Sequence, residues 1–249
     1  MIGERIRHDL QRRRGFVAGI EDLSPRLRRV TIALEERAAP VPHLPMAVGD
    51  HVKLAFPHPQ TGNLDLQDQP VLRDYTIRAV PDEGHLVVDI VIHGTGPASK
   101  WASTASEGSL IGVLGPRGSH IMPDDRARYL LLGDESAFPA LSRWLEEAPT
   151  DADLFVALET EDGTTAELPH RLGSTVKVVR GAGGEGLVEA LTAWQPRPGD
   201  GVWAAGETTA MIAVRNAAKD LGVAKEDLAV DGYWKRGVAG RDHHEPLDA

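Results

Sequence analysis

The first half of the chain alternates apolar and polar residues in short runs separated by turns. Leu86, Val88 and Ile90 would lie on one face of a strand, with Asp89 and Val91 on the other, because strand side chains alternate with a period of two. Further strands are predicted at 27–34, 51–56 and 109–114, and a proline-rich loop at 38–45. Many short strands with regular turns predict a small closed antiparallel barrel.

A helix interrupts this pattern after residue 96. Ala98, Trp101, Ala102 and Ala105 recur at the spacing of one helical face, and Pro97 suits a first helical turn. Glycines precede this helix, so its first backbone N–H groups and its dipole would favour an anionic group. An ordinary capped connector would show the same features, and both interpretations stay open at this point.

The second half of the chain, after the polar segment 123–126, has a different pattern of apolar and polar residues. Strands are predicted at 129–132, 154–158, 176–179, 202–205 and 228–230, and helices at 137–145, 187–194 and 210–221. Strands that alternate with helices predict a parallel sheet with right-handed crossovers. We therefore expect a barrel domain at 14–123, an α/β domain at 127–237 and a polar tail at 238–249.

Composition narrows the class of protein. The 249 residues are 41% hydrophobic and 26% charged, as in ordinary globular proteins, and no apolar run is long enough to span a membrane. The N-terminus lacks the apolar segment of a secretory signal, so we expect a cytoplasmic protein. The chain has no cysteine, which excludes disulfides and cysteine-bound iron–sulfur clusters. If this protein moves electrons, an organic cofactor or a partner must carry them.

Charge is distributed unevenly along the chain. The net charge of −10 disfavours nucleic acid as a partner. The first thirty residues are nevertheless rich in arginine, with a run at Arg12-Arg13-Arg14. This run could contact an acidic partner, but we expect it to be a solvated terminal arm.

The stretch Arg73-Asp74-Tyr75-Thr76 carries the clearest candidate chemistry. In a strand, Arg73 and Tyr75 share one face, so the guanidinium could bind a phosphate while the phenol ring lies on a flat heterocycle. The Thr76 hydroxyl could then bond a ring nitrogen at the edge of that heterocycle. The tetrapeptide alone is weak, because a strand tyrosine most often packs in a core. Together with the glycines and helix that follow, it indicates a flavin site.

Two turns in the second half resemble ligand-binding turns. Gly133-Asp134-Glu135-Ser136 and Gly206-Glu207 each follow a predicted strand and open a helix. Ligands of parallel sheets bind at the carboxyl ends of the strands, where these turns would lie. We identify no G-x-G-x-x-G spacing in the chain, so we expect the usual dinucleotide fingerprint to be absent. Small residues in such turns are also ordinary structural devices. This signal is weak by itself.

Taken together, the chain resembles the siderophore-interacting proteins, FAD-dependent ferric-siderophore reductases of the ferredoxin-reductase-like superfamily. The resemblance runs from about Phe16 to Gly237. It rests on Arg73 to Thr76, His93 to Trp101, Gly115-Pro116-Arg117-Gly118-Ser119, and Ala205-Gly206-Glu207 with Gly232-Tyr233-Trp234. Each of these segments is weak evidence by itself, but their order and spacing together are specific. The resemblance implies an FAD-binding antiparallel barrel followed by an NAD(P)H-binding α/β domain.

The resemblance also implies roles for individual residues. Arg73 would hold the flavin phosphate, Tyr75 would stack on the isoalloxazine, and Thr76 would bond near its N5. Further FAD contacts would be Asp89, Val91, His93, Gly94, Ala98 and Ser99. The nicotinamide dinucleotide would contact Gly133, Asp134, Glu135, Ser136, Gly206 and Glu207, and Trp234 would return toward the flavin.

Lys235, Arg236 and Arg117 are the expected substrate contacts, with Arg241 also considered. Many ferric siderophores are anionic, so a protein of charge −10 would need a local basic patch to attract them. The siderophore brings its own iron, so we expect neither a protein metal site nor a catalytic acid–base residue. The tandem His243-His244 in the polar tail is expected to be incidental.

Several alternatives remain open from the sequence. The chain could be a general NAD(P)H:flavin or ferredoxin-type oxidoreductase, or a siderophore-binding module without enzymatic activity. The electron donor could be NADH, NADPH or a reduced ferredoxin. Glu159 could bond a ribose hydroxyl and favour NADH, whereas Arg180 could meet the 2′-phosphate of NADPH. We expect a monomer.

Overall fold

In the computed structural model, the described residues are 3–35, 38–58, 60–67, 71–94, 96–163, 165–238 and 247. They form two compact units, one of residues 5–120 and one that runs from Ile121 onward and includes the first residues of the chain. The expected architecture, an antiparallel barrel followed by a parallel α/β sheet, is confirmed. Thr95, Arg241 and His243-His244 lie outside the described residues.

The barrel unit is a closed six-stranded barrel in the order β2-β3-β6-β5-β4-β7. Its strands are β2 (Arg12–Ser24), β3 (Leu27–Leu34), β4 (His51–Phe56), β5 (Val71–Ala79), β6 (His85–Val91) and β7 (Leu110–Leu114). Two short strands that the sequence pattern did not reveal, β1 (Glu4–Arg7) and β8 (Gly118–Ile121), pair in a separate sheet. The alternation predicted for β6 is correct, because Leu86, Val88 and Ile90 are fully buried in the barrel core.

The arginine run is not a solvated arm. It begins β2, which pairs with β7, and strand alternation turns the middle arginine inward. Arg13 is only 3% exposed, and its guanidinium donates to the carbonyl oxygens of Ala39, Pro40 and Gly115 at 2.5–2.8 Å. Burial lowers the pKa of Arg13. This side chain therefore ties two loops to the barrel wall, and our expectation for it was wrong.

The single described helix of the barrel unit is α1 (Pro97–Thr104). Its Ala102 is fully buried in the barrel core. Its Trp101 packs edge-on against Phe56, with ring centroids 5.4 Å apart, and Phe56 in turn meets Tyr75 at 6.3 Å. These contacts fix the helix on the barrel, so that the position of its N-terminus is set by apolar packing.

The α/β unit is built on a five-stranded parallel sheet in the order β11-β10-β9-β12-β13. Its elements are β9 (Arg128–Asp134), α2 (Phe138–Glu147), β10 (Asp153–Thr160), β11 (Ser174–Arg180), α3 (Glu185–Trp194), β12 (Gly201–Glu207), α4 (Thr208–Asp220) and β13 (Leu228–Trp234). A 3₁₀ turn, Glu135–Ala137, leads into α2. Each element covers its predicted range to within a few residues.

The two faces of this sheet are covered by different helices. Buried residues of β9, β10 and β12 form one core with α3 and α4, in which Leu187, Leu191 and Met211 are fully buried. On the opposite face, Trp144 of α2 packs between Tyr129 and Trp203, with ring centroids 5.1 and 6.5 Å away. No helix of the described residues is long and apolar enough to cross a membrane.

The strand order contains one topological switch. After β9 the chain proceeds to β10 and β11 on one side, and then returns to place β12 and β13 on the other side. Two strands that neighbour each other in the sheet, β9 and β12, therefore send their connections in opposite directions. Open α/β sheets bind ligands in the crevice that this arrangement leaves at the carboxyl ends of the strands. The predicted turns at Gly133 and Gly206 flank that position.

Candidate functional site

The candidate flavin stretch lies on β5, where Arg73 and Tyr75 share one face of the strand, as predicted. Ile77, two residues further along the same face, is fully buried in the barrel core, and Tyr75 packs against that core while remaining partly exposed. Burial raises the pKa of Tyr75, and the nearby positive charge of Arg73 opposes this shift. The phenol is therefore neutral and lies close to the guanidinium.

Arg73 is able to accept an anionic partner. Its Nη1 donates to the carbonyl oxygen of the neighbouring Leu72 at 2.7 Å, and in the described part of the chain no carboxylate forms an ion pair with it. The next residue behaves differently, because Asp74 is bound by Lys53 at 2.9 Å. The guanidinium of Arg73 is thus the cation of this stretch that is free to meet a phosphate.

Thr76 faces away from Arg73 and Tyr75. It pairs with His51 across the ladder, on the opposite face of β5, and is 6% exposed. The pleat of the strand requires this separation, since neighbouring residues point to opposite faces. A contact between Thr76 and the flavin ring edge remains a prediction.

The N-terminus of α1 is open to a ligand. Gly96 occupies the N-cap position in an extended conformation and has no side chain with which to cap the helix. Gly94 has a left-handed φ of 54°, and a Cβ atom added at Gly94 or Gly96 would meet no atom within 4 Å. Space for an anion is therefore present directly in front of the amide groups of Ala98 and Ser99.

Other predicted FAD contacts are partly engaged within the protein. The Ser99 hydroxyl oxygen accepts from the backbone N–H of His93 at 3.1 Å, which leaves the hydroxyl proton available to a ligand. Asp89 has no exposed side-chain surface, and both of its oxygens accept from Arg29 at 2.7 and 2.9 Å. Val91, at the end of β6, is partly exposed, and His93, beyond the strand, is exposed. Contacts of these residues with a cofactor stay predictions.

These features fit a phosphate-bearing flavin. The first turn of α1 supplies backbone donors, Arg73 supplies a cation with no carboxylate partner among the described residues, and Tyr75 supplies a neutral ring. The described residues contain no group of three or more His, Asp or Glu side chains that could hold a metal ion.

In the α/β unit, Asp134 is the acceptor on which the predicted nicotinamide turns converge. Its Oδ1 accepts from the backbone N–H and the hydroxyl of Ser136, and its Oδ2 accepts from the backbone N–H of Glu207 at 2.7 Å and from the indole N–H of Trp234 at 2.8 Å. Burial raises the pKa of Asp134, whereas these donors oppose the shift. One carboxylate thus holds the ends of β9, β12 and β13 together.

Gly206 and Glu207 complete this arrangement. Gly206 has a φ of 154°, and a Cβ atom there would lie 2.7 Å from Asp134 Oδ2, so only glycine fits. Glu207 caps α4 with its own carboxylate, which accepts from the backbone N–H groups of Thr209 and Ala210 at 2.6 and 3.0 Å. The N-terminus of α4 is therefore occupied by an internal anion.

The residues that follow β13 cross the carboxyl end of the sheet. The backbone N–H of Arg236 donates to Glu207 at 3.1 Å, and the Thr208 hydroxyl donates to the Trp234 carbonyl at 2.8 Å. The Arg236 guanidinium reaches the carbonyl of Ala182 at 3.5 Å and Glu161 at 3.9 Å, although β13 and β11 are at opposite edges of the sheet. This segment lies over the switch position between β9 and β12.

The predicted substrate cations differ in their surroundings. The Arg236 side chain is 61% exposed and lies 5.9 Å from the centre of the Trp234 ring. Lys235 forms an isolated bridge with Val238. Arg117 is exposed in the turn between β7 and β8, in the barrel unit. Their contact with a substrate remains a prediction.

A glycine-rich turn between β11 and α3 was missed in the analysis of the sequence. Residues 181–186, Gly-Ala-Gly-Gly-Glu-Gly, have the G-x-G-x-x-G spacing and lie between a strand and a helix. Their amide groups receive a carboxylate from the chain itself, because Gly184 donates to Glu159 at 2.9 Å. A search of the whole chain for the spacing would have found this turn, but not its internal partner.

Comparison with known sequences divides the chain at the same place as the fold. Residues 16–120 match the family described as "Siderophore-interacting FAD-binding domain". Residues 126–237 match the family described as "Siderophore-interacting protein".

Several similar proteins have been characterised or solved. The Ferric vibriobactin reductase ViuB of Vibrio cholerae is 31% identical over 218 residues, which cover 79% of this chain and 80% of that protein. The NADPH-dependent ferric-chelate reductase of Escherichia coli is 34% identical over 154 residues, covering 57% of this chain and 59% of the other. The crystal structure of a siderophore utilization protein from T. fusca superposes with a TM-score of 0.83 at 34% identity, covering 97% and 100% of the two chains.

The Asp134 hub leads to a prediction about stability. In Asp134→Asn, one acceptor oxygen becomes an amide group that faces N–H donors, so buried donors lose their partner. We expect the free energy of unfolding to fall by about 2–3 kcal/mol, measured by urea denaturation with circular dichroism. Asp151→Asn, at an exposed site, is the control and should change stability by less than about 0.5 kcal/mol. Equal stability of the two variants would show that the hub contributes nothing.

Proposed function

Because the chain belongs to the siderophore-interacting protein family, we propose that it is an FAD-dependent reductase that passes electrons from NAD(P)H to ferric siderophores and so releases Fe(II). The observation that carries this proposal is the N-terminus of α1 with its glycine N-cap, on the same unit as the neutral Tyr75 and as Arg73, which has no carboxylate partner among the described residues. The names of two relatives, a ferric vibriobactin reductase and a ferric-chelate reductase, support the same reaction.

We assign FAD binding to residues 14–123 and nicotinamide binding to residues 127–237. In the first domain, Arg73 neutralises the flavin phosphate, while the amide groups at the start of α1 and the Ser99 hydroxyl donate to the diphosphate. Tyr75 offers its ring face to the isoalloxazine, and Thr76, Asp89, Val91, His93 and Gly94 border the cofactor. In the second domain, the turns at Gly133 to Ser136 and at Gly206-Glu207 border the nicotinamide dinucleotide, with Trp234 beside them.

The chemistry requires little acid–base work from the protein. Bound FAD accepts a two-electron hydride and gives up electrons singly, as Fe(III) requires. The chain has to hold the cofactor, orient the nicotinamide and admit the chelate. No residue is therefore assigned a catalytic proton transfer, and the iron is substrate that its own chelator holds.

Substrate attraction is assigned to Lys235, Arg236 and Arg117. The acidic excess of the sequence falls in the residues after 121, whereas positive and negative side chains nearly balance between 5 and 120. The acidic region after residue 121 would repel an anionic chelate unless the cations at the end of β13 offset the negative charge of that region. We further propose a monomer that acts in the cytoplasm, where its nicotinamide donor is available.

The reaction can be tested directly. FAD-loaded protein is mixed anaerobically with NADH or NADPH while the flavin absorbance is followed, and a panel of catecholate, hydroxamate and mixed ferric siderophores is then added with a colorimetric Fe(II) trap. We expect bleaching of the flavin band and formation of Fe(II). If neither nicotinamide bleaches the flavin but a reduced ferredoxin does, the donor is a ferredoxin-type partner. If bleaching occurs without Fe(II) release from any chelate, the protein is a general flavin oxidoreductase.

Arg73 provides a test of the cofactor site. Arg73→Ala removes the unpaired guanidinium, so FAD should bind more weakly by roughly 1–3 kcal/mol, the scale of a lost charge-assisted hydrogen bond. Fluorescence titration of the apoprotein with FAD measures this change. Arg12→Ala removes an exposed arginine from β2 of the same barrel and should leave the affinity unchanged. Unaltered affinity in Arg73→Ala would move the phosphate site elsewhere.

Lys235 provides a test of the substrate surface. Lys235→Ala should raise the apparent KM for an anionic ferric siderophore at low salt and leave kcat and nicotinamide-driven flavin reduction unchanged, since only binding is lost. The difference should shrink with added salt, because exposed charges are screened beyond about 10 Å at 0.1 M. Lys219→Ala, on the exposed side of α4, is the matched control. A KM that does not change for any anionic siderophore would exclude Lys235 as a contact.

A further inference from the structure

We propose that Glu159 makes NADH the preferred nicotinamide donor by excluding the 2′-phosphate of NADPH from the glycine-rich turn between β11 and α3. This inference rests on the proposed function, since it concerns the donor of that reaction. It is carried by the position of Glu159 in the sheet, by the fit of the turn around its carboxylate, and by the charges nearby.

Glu159 occupies the strand end at which α/β folds distinguish the two nicotinamides. It lies near the carboxyl end of β10, the second strand of the sheet, and pairs directly with Asp134 on β9. A dinucleotide that crosses the switch position toward β10 places its adenosine ribose at this end. An acidic residue there favours a free 2′-hydroxyl, and an arginine favours a 2′-phosphate.

The glycines of the turn make room for this carboxylate rather than for a phosphate. A Cβ atom at Gly181 would lie 2.7 Å from Glu159 Oε1, and one at Gly186 would lie 3.6 Å from the same oxygen. Glu159 is 3% exposed and accepts from the backbone N–H of Gly184. The amide group that a phosphate would need is therefore already bound to a fixed anion.

The charges around the turn add to this exclusion. Glu185 begins α3, and its charge and that of Asp134 both act to raise the pKa of Glu159, although burial is the larger cause. Glu161 follows two residues after Glu159 and lies 3.9 Å from Arg236, the cation that reaches this end of the sheet. Acidic side chains thus surround the turn. The positive charge of Arg236 near the turn is offset by the carboxylate of Glu161.

Arg180 does not compensate for these carboxylates. It pairs with Thr160, whereas Glu159 pairs with Val179, so Arg180 and Glu159 belong to opposite faces of the sheet. The α3 side is the face of Glu159, because a Cβ atom at Gly186 would meet Val179 at 3.1 Å. The Arg180 stem instead borders Gly163. A 2′-phosphate beside Glu159 would consequently not have Arg180 on its own face.

The test compares two nucleotides that differ only in the 2′-phosphate. Oxidised, FAD-loaded protein is titrated calorimetrically with NAD⁺ and with NADP⁺ at about pH 8, well above the ordinary pKa of a glutamate carboxyl group. We expect NAD⁺ to bind at least about tenfold more tightly, on the scale of one like-charge contact. In Glu159→Gln, which keeps an oxygen for Gly184 but removes the charge, the ratio should fall toward one. Glu189→Gln, one turn along α3 and exposed, should keep the wild-type ratio.

A second variant protects the test against misfolding. Glu185→Gln changes an exposed residue of the first turn of α3 and should lower the ratio in part, even if Glu159→Gln proves unstable by circular dichroism. Equal binding of NAD⁺ and NADP⁺ by the wild-type protein, or an unchanged ratio in both variants, overturns the inference and leaves the proposed reaction untouched. If neither nucleotide binds and neither reduces the flavin, both the inference and the assignment of a nicotinamide donor are wrong.

Discussion

The backbone N–H groups at the start of each helix have no partner within the helix, and the way this protein satisfies them organises both units. In the α/β unit, carboxylates of the chain itself accept these groups. Asp134 binds the turn that leads into α2, Glu207 caps α4, and Glu159 enters the glycine-rich turn before α3. In the barrel unit, the N-cap residue of α1 is Gly96, which has no side chain to accept these groups. The first turn of α1 is therefore left for a ligand phosphate, whereas amides at the other three positions already have carboxylate partners within the chain.

This difference has consequences for how each unit is held together. The internal carboxylates fix the carboxyl ends of β9, β10 and β12 without a ligand, at the cost of burying Glu159 and Glu207 and partly burying Asp134. Hydrogen bonds from backbone amides, from a hydroxyl and from the Trp234 indole offset that cost. The barrel unit keeps its donors and the Arg73 cation for a bound anion, so its apparent stability should rise when a flavin binds.

Much of the fold follows from the sequence because apolar periodicity is local. The alternation at Leu86, Val88 and Ile90 identifies β6, and the helical spacing around Trp101 identifies α1, since each pattern reports only its own element. Arg13 shows that a position near the terminus does not by itself predict that a charged side chain is exposed to solvent. An arginine run near a terminus is usually solvated, but here the period of β2 turns its middle member into the barrel.

More of the candidate site could be predicted from the sequence in the barrel unit than in the α/β unit. Arg73 and Tyr75 share a face because a strand requires it, and the glycines before α1 leave open space, so local sequence was sufficient. The acidic turns of the α/β unit were predicted from the sequence. The hydrogen bonds that their carboxylates accept, however, join segments that are far apart in the chain. Asp134 and Trp234 are a hundred residues apart, and Glu159 meets Gly184 from a different strand. Such pairs follow from sheet order and register, which no local pattern encodes.

The most direct test of this account is hydrogen–deuterium exchange of the apoprotein with and without FAD, read by mass spectrometry. If the N-terminus of α1 holds the flavin phosphates, the amides of Ala98 and Ser99 should exchange more slowly when FAD is present, together with those around Arg73. The peptides at the starts of α3 and α4 should not change, because their amides already have internal carboxylate partners. Protection at α3 or α4 with none at α1 would contradict the account.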